Sequence, residues 1–461
     1  MTYQVVQIDA TKLAALQSRQ EGHFFDFKSK RVAPAKLSQT FSAFANADGG
    51  EVYVGIEDPA KGWLWDGFAS PEEANPIIQV LHQIFPLGDE CTCEFITCPG
   101  YSGLVLKIEI QKTADIKTAT NDTPYIRRGA QNLPITTAEQ ITRLELNKGL
   151  RSFEDNTLQA DKNEITNSTP IIEFMIDVVP DAEPEAWLRK QRLIIADHPT
   201  VAGMVLFSDE PQVYLPKSAI KIYRYKTSEA EGTRETLEAD PITIEGNLYR
   251  QIYHAVAKVI EITESIPVLG PEGLEKIQYP PVAIHEIITN AVIHRDYSLN
   301  DDVHVRIFDN RIEVESPGVL PAHITVVNIL TERFARNPKL VRLLNKHRNP
   351  PNKDVGEGLN TTFQAMRALK LREPQILQKT NSVVVILRHE KLGSAEDVIV
   401  KYLRDHEEIN NSVARELCAI GDANKMKRVF QRMMKAEIIT RIEGRPQNKA
   451  AYKKGPKFPY T

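Results

Sequence analysis

Between residues 279 and 366 three chemically distinct stations follow one another, and their order constrains the fold more than anything else in the chain. The first is a helix that carries Glu286 and Asn290 four residues apart. Pro280 and Pro281 suit its first turn, where a missing N–H costs nothing. Ile284, Ile287, Ile288, Ala291 and Val292 then repeat at helical spacing and form one apolar face, while Glu286, Asn290 and His294 lie on another stripe. The second station is a hairpin. Val303-His304-Val305-Arg306-Ile307 alternates as a half-buried strand, Asp309-Asn310 turns it, and the return strand ends at Ser316-Pro317-Gly318. The third is a glycine turn, Gly356-Glu357-Gly358-Leu359, which enters a further helix through Thr361 and Thr362.

A carboxylate and an amide one helical turn apart can divide the work at a nucleotide. The carboxylate accepts a proton from an attacking water, and the amide oxygen ligates magnesium, which prefers oxygen donors. Gly318 lets backbone approach a ligand closely, and bare N–H groups at a helix start cradle phosphate. Taken singly, each station is an ordinary surface helix, turn or cap. As a series they resemble the GHKL ATPases (gyrase, Hsp90, histidine kinase, MutL). Tyr279-Pro280, His294-Arg295-Asp296-Tyr297, Leu320-Pro321 and Arg336-Asn337-Pro338 narrow the likeness to a divergent prokaryotic branch, found in proteins labelled RecG-related helicases or transcriptional regulators. The resemblance spans about residues 202–387. It implies an α/β sandwich that binds ATP and Mg2+. Glu286 would be the general base and Asn290 the magnesium ligand, with Gly318, Gly356 and Gly358 as a backbone cradle and Leu359 at its helix start. Residues 322–354 would form a lid, and Arg336 would reach the γ-phosphate. The sequence departs from the family at Ser316, where GHKL proteins place an Asp that receives the adenine amino group. Neighbouring Glu315 points to the opposite face in a regular strand, so the choice between adenine and guanine stays open. No Gly-x-x-x-x-Gly-Lys-Ser/Thr occurs, which argues against a P-loop helicase motor.

At 461 residues the chain has room for two to four domains. Its net charge of −4 gives no global attraction to nucleic acid, so such binding must come from local patches. No apolar run is long enough to span a membrane, and Met1-Thr2-Tyr3-Gln4 does not begin a signal peptide; a cytoplasmic location is expected. Cys91, Cys93 and Cys98 lack the spacing of a structural zinc site, and buried small residues are the better reading.

Polar residues 151–170 suggest a linker, and a second break falls near Leu392-Gly393. The expected parts are 1–150, 171–391 and 394–461. In the first, Glu21, Phe25-Asp26-Phe27-Lys28, Ala43-Phe44-Ala45-Asn46, Gly49-Gly50, Gly55-Ile56-Glu57-Asp58 and Tyr125-Ile126-Arg127-Arg128-Gly129 resemble the Schlafen-like AlbA domain. That likeness covers about residues 10–135 and implies an α+β nucleic-acid-binding module. In Schlafens three carboxylates form an RNA nuclease site, which Glu21, Asp26 and Asp58 (or Glu57) would supply here by holding divalent ions. The alternative is that Glu21 and Asp26 are solvated acids or partners of Lys28 and Lys30. Lys28, Lys30, Arg31, Arg127 and Arg128 are candidate phosphate contacts.

From Ser394 onward there are eight Lys and six Arg against nine acidic residues, a net of +5. Ser394 and Asp397 suggest a capped first helix. Further helices are expected at 412–419 and 424–435, then a ribbon through Ile438 and Tyr452 with a turn at Gly444. This resembles a winged helix-turn-helix. Lys425, Lys427, Arg428 and Arg432 would lie on a recognition helix, and Arg441, Arg445 and Lys449 on a basic wing. The fold class expected is thus α+β multidomain. The function expected is that of an ATP-regulated regulator that binds nucleic acid, DNA rather than RNA, in transcription or phage defence, and forms a homodimer or higher oligomer. An ATP-gated nuclease and a non-catalytic scaffold are the alternatives.

Overall fold

In the computed structural model, which describes residues 4–57, 63–270, 273–352, 358–389, 395–418, 420, 422–442, 445 and 450–459, two sheets of different build carry most of the chain. The first has five strands in the order Val5–Gln7, Cys91–Thr97, Val105–Ile110, Gly50–Val54, Phe25–Lys28. Phe25–Lys28 and Gly50–Val54 pair in parallel, a connection that needs a crossover, and helix Pro34–Asn46 supplies it. Leu37, Phe41 and Phe44 of that helix are fully buried against Val52, Leu106 and Ile108 of the sheet. Asn46 ends the helix and clamps the following chain. Its amide donates to Lys117 O (2.7 Å) and Tyr125 O (2.9 Å) and accepts from Lys117 N (2.9 Å). The hairpin Tyr125–Arg128 with Gln131–Pro134 is thereby held on the helix. Cys91 and Cys98 are buried and Cys93 half-buried, all with free thiols.

Residues 151–170 depart from the expected linker. Glu154 is 0% exposed and Ile165 is 0% exposed. The stretch forms a short helix, Asn163–Thr166, and leads into helix Thr169–Val178. Two of its polar residues serve helix ends, while Asp155, Asn156, Asp161, Asn163 and Asn167 stay exposed: Ser168 caps Thr169–Val178, and Glu154 accepts from Lys339 N (2.8 Å) and Leu340 N (3.0 Å) at the start of helix Pro338–Leu344. The central core accordingly begins at Ala160 and reaches Leu387. Burial raises the Glu154 carboxyl from an ordinary 4.5 to about 7, against the two N–H groups that lower it. A raised folded value means that the contribution to stability is fully present below about 4.5 and is lost as pH rises through about 7. Glu154→Gln is therefore expected to flatten the fall in urea midpoint between those limits. An unchanged slope would mean that another group sets it.

The second sheet has six strands in the order Ile242–Ile244, Ile220–Arg224, Val303–Ile307, Arg311–Pro317, Ser382–Arg388, Gln375–Gln378. Alternate residues, among them Ile222, Val305, Ile312, Val314 and Leu387, point into one core with Ile284, Ile287 and Ile288 of helix Pro281–Ile293 and Met366 of helix Gly358–Ala368. The result is an α/β sandwich with the expected helix–hairpin–helix order.

The third part has its own core around Phe430, Met426, Ile399 and Leu403. Helices Ala395–Asp405, Asn411–Leu417 and Ala423–Lys435 pack against a small sheet in the order Ile409–Asn410, Ala451–Lys454, Ile439–Arg441. Ser394 and Gly444 lie outside the described residues. Among the described residues, no helix is long and apolar enough to cross a membrane.

Candidate nucleotide and nucleic-acid sites

The Glu286 helix and the Gly358 helix meet where the sequence places its first and third stations. Asn290 donates from its amide NH2 to Glu286 Oε1 at 2.8 Å, so its amide oxygen is not used in that bond. Burial raises the Glu286 carboxyl above its ordinary value, opposed by the Asn290 bond. Gly358 lies so close that a Cβ there would stand 1.6 Å from Glu286 Oε1. A carboxylate made more basic by burial thus faces the N-terminus of helix Gly358–Ala368, with its leading N–H groups. Leu359 is the second residue of that helix and half-buried, and Gly356 lies outside the described residues.

The middle station sits beside them. Ser316 donates to Ala291 O (2.7 Å) on the Glu286 helix, so its hydroxyl fastens strand to helix. Glu315 faces the other way, as alternation requires, and engages Arg306 (2.5 Å), Lys379 (3.2 Å) and Ser382 (2.6 Å). Gly318 has φ +108°, and a Cβ there would meet the Asp296 Cβ at 2.8 Å. Both backbone and space demand glycine at that turn.

Arg336 is tied down beside the Gly318 turn. It is 6% exposed, and its guanidinium donates to Val319 O and Leu146 O (3.4 Å) and pairs with Asp296 (3.4 Å). Asp296 in turn takes Arg143 (2.7 Å) and Ser298 Oγ (2.5 Å). The rest of the His294–Tyr297 motif is also structural: Arg295 donates to Lys217 O, Leu299 O and Asp301 O, and Tyr297 donates to Val292 O. Asn337 donates to Ile293 O and Arg295 O (2.9 Å each), closing the end of the Glu286 helix. These anchors had no local sequence signal, because their partners are main-chain carbonyls brought in by the fold. A cleft of about 530 Å3 lies elsewhere, along Tyr249, Arg250, Tyr253, His254 and Asn349. It contains none of the residues of the three stations, so volume is a poor guide to this site.

In the N-terminal module Asp26 is 1% exposed rather than solvated. It pairs with Lys28 (2.7 Å) and Arg127 (3.3 Å), itself 1% exposed. Lys28 also approaches Glu21 (3.8 Å), which accepts from Phe27 N (3.2 Å). The two carboxylates are thus brought together, with two cations facing them. Arg127 is spent on Asp26, Gly22 O, Phe25 O and Asn132, which takes it out of the candidate phosphate contacts. Lys30 and Arg31 share Asp66, and Arg128 is exposed. Asp58 lies outside the described residues, and Glu57 is half-buried at their edge. Among the described residues no three His, Cys, Asp or Glu side chains gather as a metal-holding group.

On the C-terminal part, Lys425, Lys427, Arg428, Arg432 and Arg441 are exposed, and the first four share helix Ala423–Lys435. Arg432 pairs with Glu396 (2.6 Å) and Arg445 with Glu408 (2.8 Å). Lys425, Lys427, Arg428 and Arg441 have no ion pair among the described residues. Lys449 lies outside them.

No curated protein matches the chain. A solved structure, the DIP2311 protein from Corynebacterium diphtheriae, aligns over 94% of this chain and 92% of its own at 19% identity, with a TM-score of 0.42. Two stretches match family models. Residues 300–387 match the family HATPase_c_4, described as "Putative ATP-dependent DNA helicase recG C-terminal", and residues 21–136 match "Schlafen, AlbA_2". The chain thus joins a stretch that matches Schlafen-type AlbA_2 domains to one that matches HATPase_c_4 domains.

Proposed function

We propose that this protein binds ATP with Mg2+ at the Glu286–Gly358 junction and uses it to regulate nucleic-acid binding by the flanking modules. The observation that carries the reading is the half-buried Glu286 carboxylate, bonded to Asn290 and abutting a helix N-terminus at a glycine. These residues fit the group that the family implies. The Asn290 amide oxygen and solvent would hold Mg2+, which supplies charge neutralisation at the phosphates when bound. Glu286 orients and deprotonates water, a task for which its raised basicity suits it. The helix start at Gly358 presents N–H groups to phosphate oxygens.

The C-terminal part has the helix and strand order of a winged helix, and its one strongly basic exposed helix suits the DNA major groove. Two such tails in a homodimer would address a palindromic site, as a transcriptional or antiviral regulator requires. In the N-terminal module Lys28 and Arg127 compensate the Glu21–Asp26 pair, and this favours a binding role there over cleavage.

Isothermal titration of the full chain with a non-hydrolysable ATP analogue and Mg2+ tests the reading. Wild type should bind with a micromolar Kd, and Asn290→Ala should lose at least about tenfold, roughly one charge-assisted contact. Duplex DNA binding, followed with and without the analogue, should shift in wild type alone. Absence of nucleotide binding in wild type would leave a scaffold.

A further inference from the structure

The Gly318 turn of the nucleotide site is held from outside its own domain. Lys112, at the end of the N-terminal sheet and 9% exposed, donates to Leu320 O (2.7 Å) and Ile324 O (3.1 Å), just beyond Gly318. Ala322, with φ +52°, donates its N–H to Asn147 O (3.0 Å) of helix Ala138–Asn147. Gln378, on the edge strand of the central sheet, uses both ends of its amide. Its oxygen accepts from Leu320 N (2.9 Å) and its NH2 donates to Asp48 Oδ1 (3.0 Å) in the N-terminal module. The turn that would meet the nucleotide is therefore fixed by two N-terminal residues directly and by a third through Gln378.

Asp48 continues the path. Its second oxygen meets His23 Nε2 at 2.9 Å, and Lys112 stands 3.5 Å from the first. Burial would raise this carboxyl, but His23, Lys112 and Gln378 together hold it well below the usual carboxylate range, so it stays charged. Beside His23, Gly22 O accepts from Arg127 Nε (3.0 Å) and Nη2 (2.8 Å), and Arg127 pairs with Asp26. A chain of hydrogen bonds, continued through the covalent His23–Gly22 link, thus runs from the nucleotide turn to the acidic pair of the AlbA_2 domain: Leu320, Gln378, Asp48, His23-Gly22, Arg127, Asp26.

We propose that Asp48 and Gln378 are positioning residues that link occupancy of the nucleotide site to the conformation of residues 21–28 in the N-terminal module. This rests on the central site binding nucleotide, as inferred above. The physical basis is that the buried Lys112 and Arg127 tolerate only arrangements in which they stay paired, and the half-buried Gln378, Asp48 and His23 connect them. A nucleotide that shifts the Gly318–Leu320 turn must either break the Gln378 bonds or move Asp48 with them. Contiguity alone does not establish coupling, so the test must read coupling itself.

Hydrogen–deuterium exchange of the full chain, with and without saturating adenylyl imidodiphosphate and Mg2+, provides that reading, with calorimetry confirming saturation. In wild type, amides of residues 21–28 should change protection by about fivefold or more, the lower end of ordinary coupling between sites. The change should vanish in Asp48→Ala and in Gln378→Leu. The second variant keeps side-chain bulk and serves should the first fail to fold. A general loss of structure would alter exchange without nucleotide, whereas broken coupling removes only the nucleotide-dependent difference. Nucleotide binding with no response at 21–28 in wild type overturns this inference and leaves the function reading intact. A response that persists in both variants overturns the Asp48 route. Absence of binding defeats both.

Discussion

With Glu286 as the proposed general base, Gly358→Ala should lower nucleotide turnover by about 10²-fold, the smaller end of what such a base contributes, while moving the unfolding midpoint little. The added Cβ would stand 1.6 Å from Glu286 Oε1 and 2.4 Å from Cδ, so something must move. The backbone of helix Gly358–Ala368 is tied into the core by the buried Thr362 and Met366. The carboxylate is instead the free end of a side chain, held among the described residues by one bond to Asn290. Glu286 should therefore swing away, and the base is lost although the fold persists. Glu286→Gln is the control, since it keeps the shape but not the basicity. Steady-state hydrolysis with a parallel thermal melt distinguishes the outcomes. Turnover at the wild-type level in Gly358→Ala would place the chemistry away from this carboxylate.

The parts legible in the sequence are those whose cause is local. Helix Pro281–Ile293 follows from apolar spacing with prolines at its start, and Ala423–Lys435 from Met426, Val429, Phe430 and Met433 on one stripe. The opposed directions of Ser316 and Glu315 follow from strand alternation. What was not legible depends on long separations. Asp26 and Arg127 are 101 residues apart, and only folding buries them together. The polar run at 151–170 predicts a linker, because polarity ordinarily marks solvent. Yet the Glu154 carboxylate caps a helix 185 residues away. The motif around Arg336 points to phosphate, but its partners Asp296 and Leu146 lie 40 and 190 positions earlier. A charged residue has the same appearance in sequence whether it awaits a ligand or already holds a carbonyl. The fold decides between them by desolvation, since a buried guanidinium must be paired where it stands.

Loss of that pairing carries the largest stability effect expected in the chain. Asp296→Ala should cost about 3–5 kcal/mol, because it leaves the Arg336 guanidinium buried without its counter-charge. Burial already lowers the Arg336 pKa, with Asp296 opposing that shift, and Arg143 adds a like charge nearby. Removing Asp296 therefore leaves two repelling cations where three groups were balanced, and it also strips the acceptor that orients Ser298. The cost should fall on burial rather than on the ion pair as such. Arg336→Met in the Asp296→Ala background should then recover a substantial part of the loss, as apolar replacements of buried pairs do. Urea midpoints of wild type, the two single variants and the double variant form the cycle. Additive losses with no recovery would mean that Arg336 earns its place through Val319 O and Leu146 O rather than through Asp296.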